Sequence, residues 1–224
     1  MNKKFYINSY AVWRGNSENT LPDVSFVPPL VRRRLTGVEK IGISLANQVC
    51  GGRDDYFVVF ASRFGEWGQT IKLIRQFYED VEMSPAGFST SVHNAMPGIL
   101  SVLRHNRMAY TAVAANERTL DNALVEAFCG KKPVLFIYAE EKMPEIYAGV
   151  CPVECQFGYG CAFLISDAVD AVGEAADTDG ADCAGLVEVC SGTGDRVISF
   201  DELVEFLQAD TGALQGAYLT IRKL

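Results

Sequence analysis

Ser84–Gly98 reads SPAGFSTSVHNAMPG and carries His93, one of only two histidines in the chain. Downstream, NAMPGILSVLRHN (94–106) is predicted to be a short buried helix, in which Pro97 is tolerable only in the first turn, where its missing N–H is not needed. The second histidine, His105, closes that segment among polar residues and reads as an exposed loop residue. His93 stands directly before the buried element. A histidine so placed is either a general base or an oriented structural side chain, and the structural role is the commoner one.

Outward from that stretch, hydrophobic periodicity alternates between strand and helix. An opening strand is followed by a Pro-rich loop, and then Leu30, Val31, Leu35, Val38, Ile41, Leu45 and Val49 recur at helical spacing. YFVVFAS (56–62) is a short continuous apolar run, as in a strand covered on both faces. EWGQTIKLIRQFYEDV (66–81) is helical, with Ile71, Ile74, Phe77 and Tyr78 on one stripe. YTAVAA (110–115) is a strand, ERTLDNALVEAFCG (117–130) a helix closed by Gly130, and KPVLFIYAEE (132–141) a strand ending in acids. CAFLISDA (161–168) and AGLVEVC (184–190) are further strands. Ser199 and Asp201 are candidate caps of the helix SFDELVEFLQAD, and GAYLTIRKL (216–224) closes the chain as a strand. This order predicts a layered α/β sheet. No linker splits the chain, so residues 1–224 read as one domain, with a flexible acidic insertion at about 169–184.

Composition narrows the function. Of 224 residues, 49% are hydrophobic and 21% charged, the balance of an ordinary folded protein. The net charge of -8 disfavours nucleic acid, which is bound through Lys and Arg clusters. The one dense basic run, Arg32-Arg33-Arg34, reads as a solvated face or a set of internal salt bridges in preference to a docking patch. The N-terminus lacks a signal peptide's apolar run and no segment is apolar over a membrane-spanning length, which together place the chain in the cytoplasm without membrane insertion. Seven cysteines in such a chain read as reduced thiols. Cys151, Cys155 and Cys161, with Cys190 further on, lack the paired C-x-x-C spacing of a zinc site and read better as small apolar residues on strands, so no metal is expected. G-x-S-x-G, the P-loop and G-x-G-x-x-G after a strand are all absent, and the G-x-G of QFGYGCAF reads as a turn. The residues alone show no complete catalytic set.

The stretch 84–98 resembles the N-terminal half of the β-ketoacyl synthases, in which a Ser-Pro, an Asn and a Gly at the same relative positions precede the nucleophile strand. Together with PPLVRRRL, VVFASRFGE and LVEAFCGKKPVLFIYAEEKMPEIY, it is more closely similar to the short chain-length-factor type of ketosynthase-like protein. These carry only the N-terminal half and accompany type II systems such as those making aryl polyenes. The resemblance runs from about Tyr10 to about Asp167, and the tail from Val169 onward matches poorly. It implies a thiolase-like half-fold, layered α/β/α, with a mixed, mostly parallel five-stranded sheet.

By the same resemblance, the reactive cysteine of a ketosynthase falls at position 117, which is glutamate here, and AANERTLDN (114–122) contains no cysteine. The two catalytic histidines of the C-terminal half are also missing, since no histidine follows His105. Glu117, at a helix start, gains some stabilisation as a carboxylate from the backbone dipoles. The resemblance therefore implies a non-catalytic subunit that forms a heterodimer with an active ketosynthase and shapes its acyl tunnel. Phe88, Val92, His93 and Asn94 would face the tunnel and interface, and His93 would orient its loop. Tyr110, Thr111, Ala112, Val113, Ala114 and Ala115 would form the strand paired across the dimer. No cofactor is implied, and the acidic acyl carrier protein would load through the partner. Two rivals remain: a malonyl-thioester decarboxylase using Glu117, and a homodimeric binding protein that keeps only the fold.

Overall fold

A computed structural model describes residues 2–147, 149, 156–168, 183–192 and 194–224. One sheet contains β1 (Lys3–Arg14), β2 (Phe57–Ala61), β3 (Tyr110–Val113), β4 (Val134–Glu140), β5 (Tyr159–Ser166), β6 (Gly185–Ser191), β7 (Ala213–Gln215) and β8 (Leu219–Lys223). Their order is β3-β2-β4-β5-β1-β6-β8-β7. Alternation along the strands divides the core in two. Val58 and Phe60 of β2 and Leu135 and Ile137 of β4 face α2 (Gly37–Cys50) and α5 (Ala95–Leu103). Val59, Ala61, Phe136 and Tyr138 face α6 (Thr119–Cys129) and α7 (Phe200–Gln208). The layered α/β/α arrangement expected from the sequence is present.

The sheet differs from that expectation in size and sense. Among the described residues it has eight strands in place of five, and β2 is parallel to β3 and β4 while every other pairing is antiparallel. A parallel neighbour needs a long crossover, and β7 and β8 are joined only by Gly216, Ala217 and Tyr218. The C-terminal tail supplies β6, β7, β8 and α7. Buried Asp121 of α6 fastens it by accepting the Ile198 amide at 3.0 Å and the Ala217 amide at 3.1 Å.

Local readings are also corrected. The periodic stretch after the first loop is two helices, α1 (Pro29–Arg32) and α2, because Thr36 and Glu39 form a capping box that starts a new helix. Leu30 is therefore left exposed. In α7 the cap is Ser199 with Glu202, whereas Asp201 lies inside the helix and pairs with Arg14. Gly160 of the G-x-G lies within β5; a Cβ there would come 2.5 Å from the Tyr138 carbonyl and 3.0 Å from Ile41 and Leu45, so glycine lets α2 press onto the sheet. Of the acidic insertion, 169–182 lies outside the described residues, while Ala184 is buried at the start of β6. Arg33 and Arg34 are exposed and form no ion pair among the described residues, while Arg32 is half-buried and donates to the Ser25 carbonyl at 3.0 Å.

The largest difference in packing concerns α3 (Trp67–Tyr78) and α4 (Pro85–Ser89). In α3 only Leu73 is buried, and nothing in α4 is. The apolar stripe faces outward, with Phe77 68% and Tyr78 82% exposed, followed by exposed Val81, Met83, Phe88 and Val92.

Candidate functional site

The candidate site lies where β2, β3 and β4 end. β3 stops at Val113, so Ala114 and Ala115 fall beyond the strand, and the chain turns through Asn116 at φ 54° into a short 3-10 turn, Asn116–Arg118, and then α6. The Thr119 hydroxyl secures the turn, accepting the Ala115 amide at 3.0 Å and donating to the Asn116 carbonyl at 2.7 Å. A non-glycine residue at positive φ is uncommon and marks a tightly specified corner. Glu117 stands at its tip, 62% exposed, with its carboxylate 2.9 Å from Arg63 Nη2.

Arg63 belongs to the loop after β2, which folds around Glu140 at the end of β4. The buried Glu140 carboxylate accepts the Ser62 hydroxyl at 2.9 Å, the Phe64 amide at 3.4 Å and the Arg63 amide. Burial pushes this carboxyl up to about 7, although the Arg63 and Ser62 hydrogen bonds act in the opposite sense. Ser62 Oγ also accepts the Gly65 amide at 2.8 Å.

His93 secures the same loop from the other side. Its Nε2–H donates to the Ser62 carbonyl at 2.8 Å, and its ring lies 5.5 Å from that of Phe60. It also covers Gly65 (φ 56°), where a Cβ would meet His93 Cδ2 at 2.7 Å. This is the geometry of an oriented structural side chain. His93 and Glu117 are thus linked through adjacent residues: the imidazole holds the Ser62 carbonyl, and the Arg63 guanidinium holds Glu117.

A cavity of about 190 Å³ opens beside Glu117, lined by Arg63, Phe64, Tyr138, Tyr159 and Phe200 among others. Its walls are aromatic, with Tyr159 and Phe200 rings 4.8 Å apart, and burial pushes the Tyr138 hydroxyl far above its ordinary value. Among the described residues, neither a cysteine nor a histidine lines it. His105 lies beyond the far end of α5, exposed and at φ 51°.

The other sequence candidates do not gather at this cavity. Phe88 and Val92 project from the α4 segment, Asn94 is exposed before α5 and caps it with its backbone only, and Tyr110–Val113 form the outer edge of the sheet. Among the described residues no group of three His, Cys, Asp or Glu could hold a metal. Cys161 is buried in β5, Cys190 lies on β6, and Cys151 and Cys155 are outside the described residues. Sequence reasoning missed Ser62, Arg63 and Glu140; the one signal in the sequence is the pair of acids that ends KPVLFIYAEE. No helix among the described residues is long and apolar enough to cross a membrane.

A helix-covered mixed sheet of this kind is the fold of the thiolase-like ketosynthases. The sequence matches the β-ketoacyl synthase N-terminal domain over residues 9–210, and the chain belongs to that family. No curated protein matches it. Solved structures that share the fold include the following three. A ketosynthase, ApeO, in complex with its chain length factor, ApeC, from Xenorhabdus doucetiae matches with a TM-score of 0.71 at 16% identity, covering 98% of this chain and 98% of the matched one. The ishigamide ketosynthase/chain length factor gives 0.59 at 13% identity, with 84% of this chain and 66% of that one covered. A β-ketoacyl synthase from Burkholderia phymatum STM815 gives 0.50 at 11% identity, with 84% and 63% covered.

Proposed function

We propose that this protein is a non-catalytic, chain-length-factor-like subunit that pairs with an active β-ketoacyl synthase and shapes its acyl tunnel in an aryl-polyene-type or similar pathway. The observation that carries this reading is the unpartnered apolar segment from Ile74 to Val92, whose large side chains are turned away from their own core. Exposed apolar surface of this kind marks an interaction site. The edge strand β3 has one side open, which suits continuation of the sheet into a partner through Tyr110–Val113, flanked by Ala114 and Ala115. Phe88 and Val92 would meet the partner's tunnel, with His93 and Asn94 holding the segment that presents them.

Two further points support a subunit without its own chemistry. Glu117 stands at the nucleophile corner and is engaged by Arg63, which leaves it poorly suited to act as a base on a malonyl thioester. Coverage of nearly the whole matched chain in the ApeO–ApeC structure, against about two thirds in the other two, fits a half-length partner. The carrier protein would then dock on the ketosynthase. The test is reconstitution with the ketosynthase of the same gene cluster and a loaded carrier: extension should require both proteins and survive Glu117→Ala. Extension by the ketosynthase alone, or decarboxylation by this chain alone that Glu117→Ala abolishes, would overturn the reading.

A further inference from the structure

Away from the Glu117 cavity, three carboxyl side chains meet where α2 and α3 begin. Glu141, just after β4, accepts the Gly68 amide at 3.0 Å and the Gly37 amide, so one carboxylate receives both helix starts. A Cβ on either glycine would stand 2.6 Å from its oxygens. Glu39, in the first turn of α2, is fully buried; Oε2 accepts the Thr36 amide at 2.7 Å and Oε1 has no partner. Glu66 is the N-cap residue of α3 and only 3% exposed; its carbonyl accepts the Thr70 amide at 2.9 Å, but its side chain caps nothing. An N-cap side chain ordinarily takes an amide two or three residues on, and the amide two residues on, Gly68, already belongs to Glu141. Neither Glu66 oxygen makes a hydrogen bond of ordinary geometry.

Compensating positive charge is scarce around this group. Lys40 beside Glu39 favours ionisation there, the Thr36 hydroxyl favours it at Glu39 and Glu66, and none of the three acids has an ion-pair partner among the described residues. Of the three, only Glu66 has both oxygens without an ordinary hydrogen bond, and a buried carboxyl in that position retains its proton. Burial first, then the charges of Glu39 and Glu141, pushes Glu66 up to about 9, and burial with the Glu141 charge pushes Glu39 up to about 7.

The cluster sits at the root of a segment with little buried surface of its own. Beyond it, α3 has Leu73 as its one buried side chain, and Gln69 joins α3 to α4 through the Gly87 carbonyl at 2.9 Å, a bond inside the segment that does not reach the body. Trp67, next to Glu66, is stacked between Phe64 at 4.4 Å and Tyr147 at 5.4 Å. We propose that Glu39, Glu66 and Glu141 form a proton-held latch that seats the N-terminus of α3, and that ionisation of Glu66 releases the apolar α3–α4 segment from the sheet while the core stays folded. The sign follows from burial. The unfolded chain sheds the Glu66 proton at an ordinary carboxylate value and the seated latch keeps it, so the seat weakens as pH rises toward the folded titration point.

The latch does not depend on the partner reading. Hydrogen exchange on the full chain, corrected for intrinsic rates, tests it. Between pH 6.5 and 9.5 the amides of 70–78 are expected to lose at least tenfold in protection while those of β4 and β5 hold, and Glu66→Gln is expected to remove the pH dependence. Unchanged protection in the wild type, or the same loss in Glu66→Gln, would overturn it. Should that variant not fold, the carboxyl carbon of Glu66 in the wild type can be titrated by NMR: an elevated midpoint sustains the latch, and an ordinary glutamate midpoint overturns it.

Discussion

Helices α2 and α3 have similar sequence patterns and opposite fates. Both are amphipathic, but α2 presses Val38, Ile41, Leu45 and Val49 into the sheet, whereas α3 buries Leu73 alone and turns Ile74, Phe77 and Tyr78 outward. An apolar stripe specifies that a face will be covered; it does not say by what. In α2 the cover is β4 and β5 of the same chain. In α3 the proposed cover is another protein.

The contrast should be sharpest in stability. On the α2 side, Gly160→Ala drives a methyl into the Tyr138 carbonyl, Ile41 and Leu45, and should destabilise the chain by about 3 kcal/mol in urea unfolding. A shift below about 1 kcal/mol would mean that α2 is not closely seated.

The latch gives the next effect. Because Glu66, Glu39 and Glu140 all have raised values in the folded state, stability should fall as pH rises from about 5 through about 9, by on the order of 2 kcal/mol or more. The Glu39 and Glu140 contributions are complete near pH 7, and the Glu66 contribution continues to about 9. Glu66→Gln should therefore stabilise the chain at pH 9 relative to wild type, with the difference narrowing toward pH 5. Urea midpoints across that range check this.

Outer-face changes on α3 should hardly affect the isolated chain. Phe77→Ser with Tyr78→Ser is expected to move its stability by about 0.5 kcal/mol or less, since both side chains are already solvated, while weakening capture by a ketosynthase at least tenfold. The smallest effect belongs to Glu117→Ala, which removes an exposed ion pair and should cost about 0.5 kcal/mol or less.

Local chemistry made much of this legible in the sequence. Pro97 does fall in the first turn of α5, Gly130 ends α6, and His93 has the geometry of an oriented side chain. Sheet sense and strand number were less legible, because the five-stranded, mostly parallel picture rests on a resemblance whose motifs reach only to about Asp167, whereas the family match extends to residue 210 and takes in β6 and α7. β7, at Ala213–Gln215, is too short to give a period. The Ser62–Arg63–Glu140 cluster is hidden for a different reason. Glu140 lies 78 residues from Ser62, and a carboxylate wrapped by backbone amides leaves no motif. Glu66 looks like part of an amphipathic helix start, and only the capture of the Gly68 amide by Glu141 reveals that its capping partner is taken.

The most direct test of the partner role is native mass spectrometry of this chain co-expressed with the ketosynthase of its gene cluster. A one-to-one complex, lost when Phe77 and Tyr78 are both replaced by serine, is the expected result. A stable monomer or homodimer beside a separate ketosynthase homodimer would contradict it.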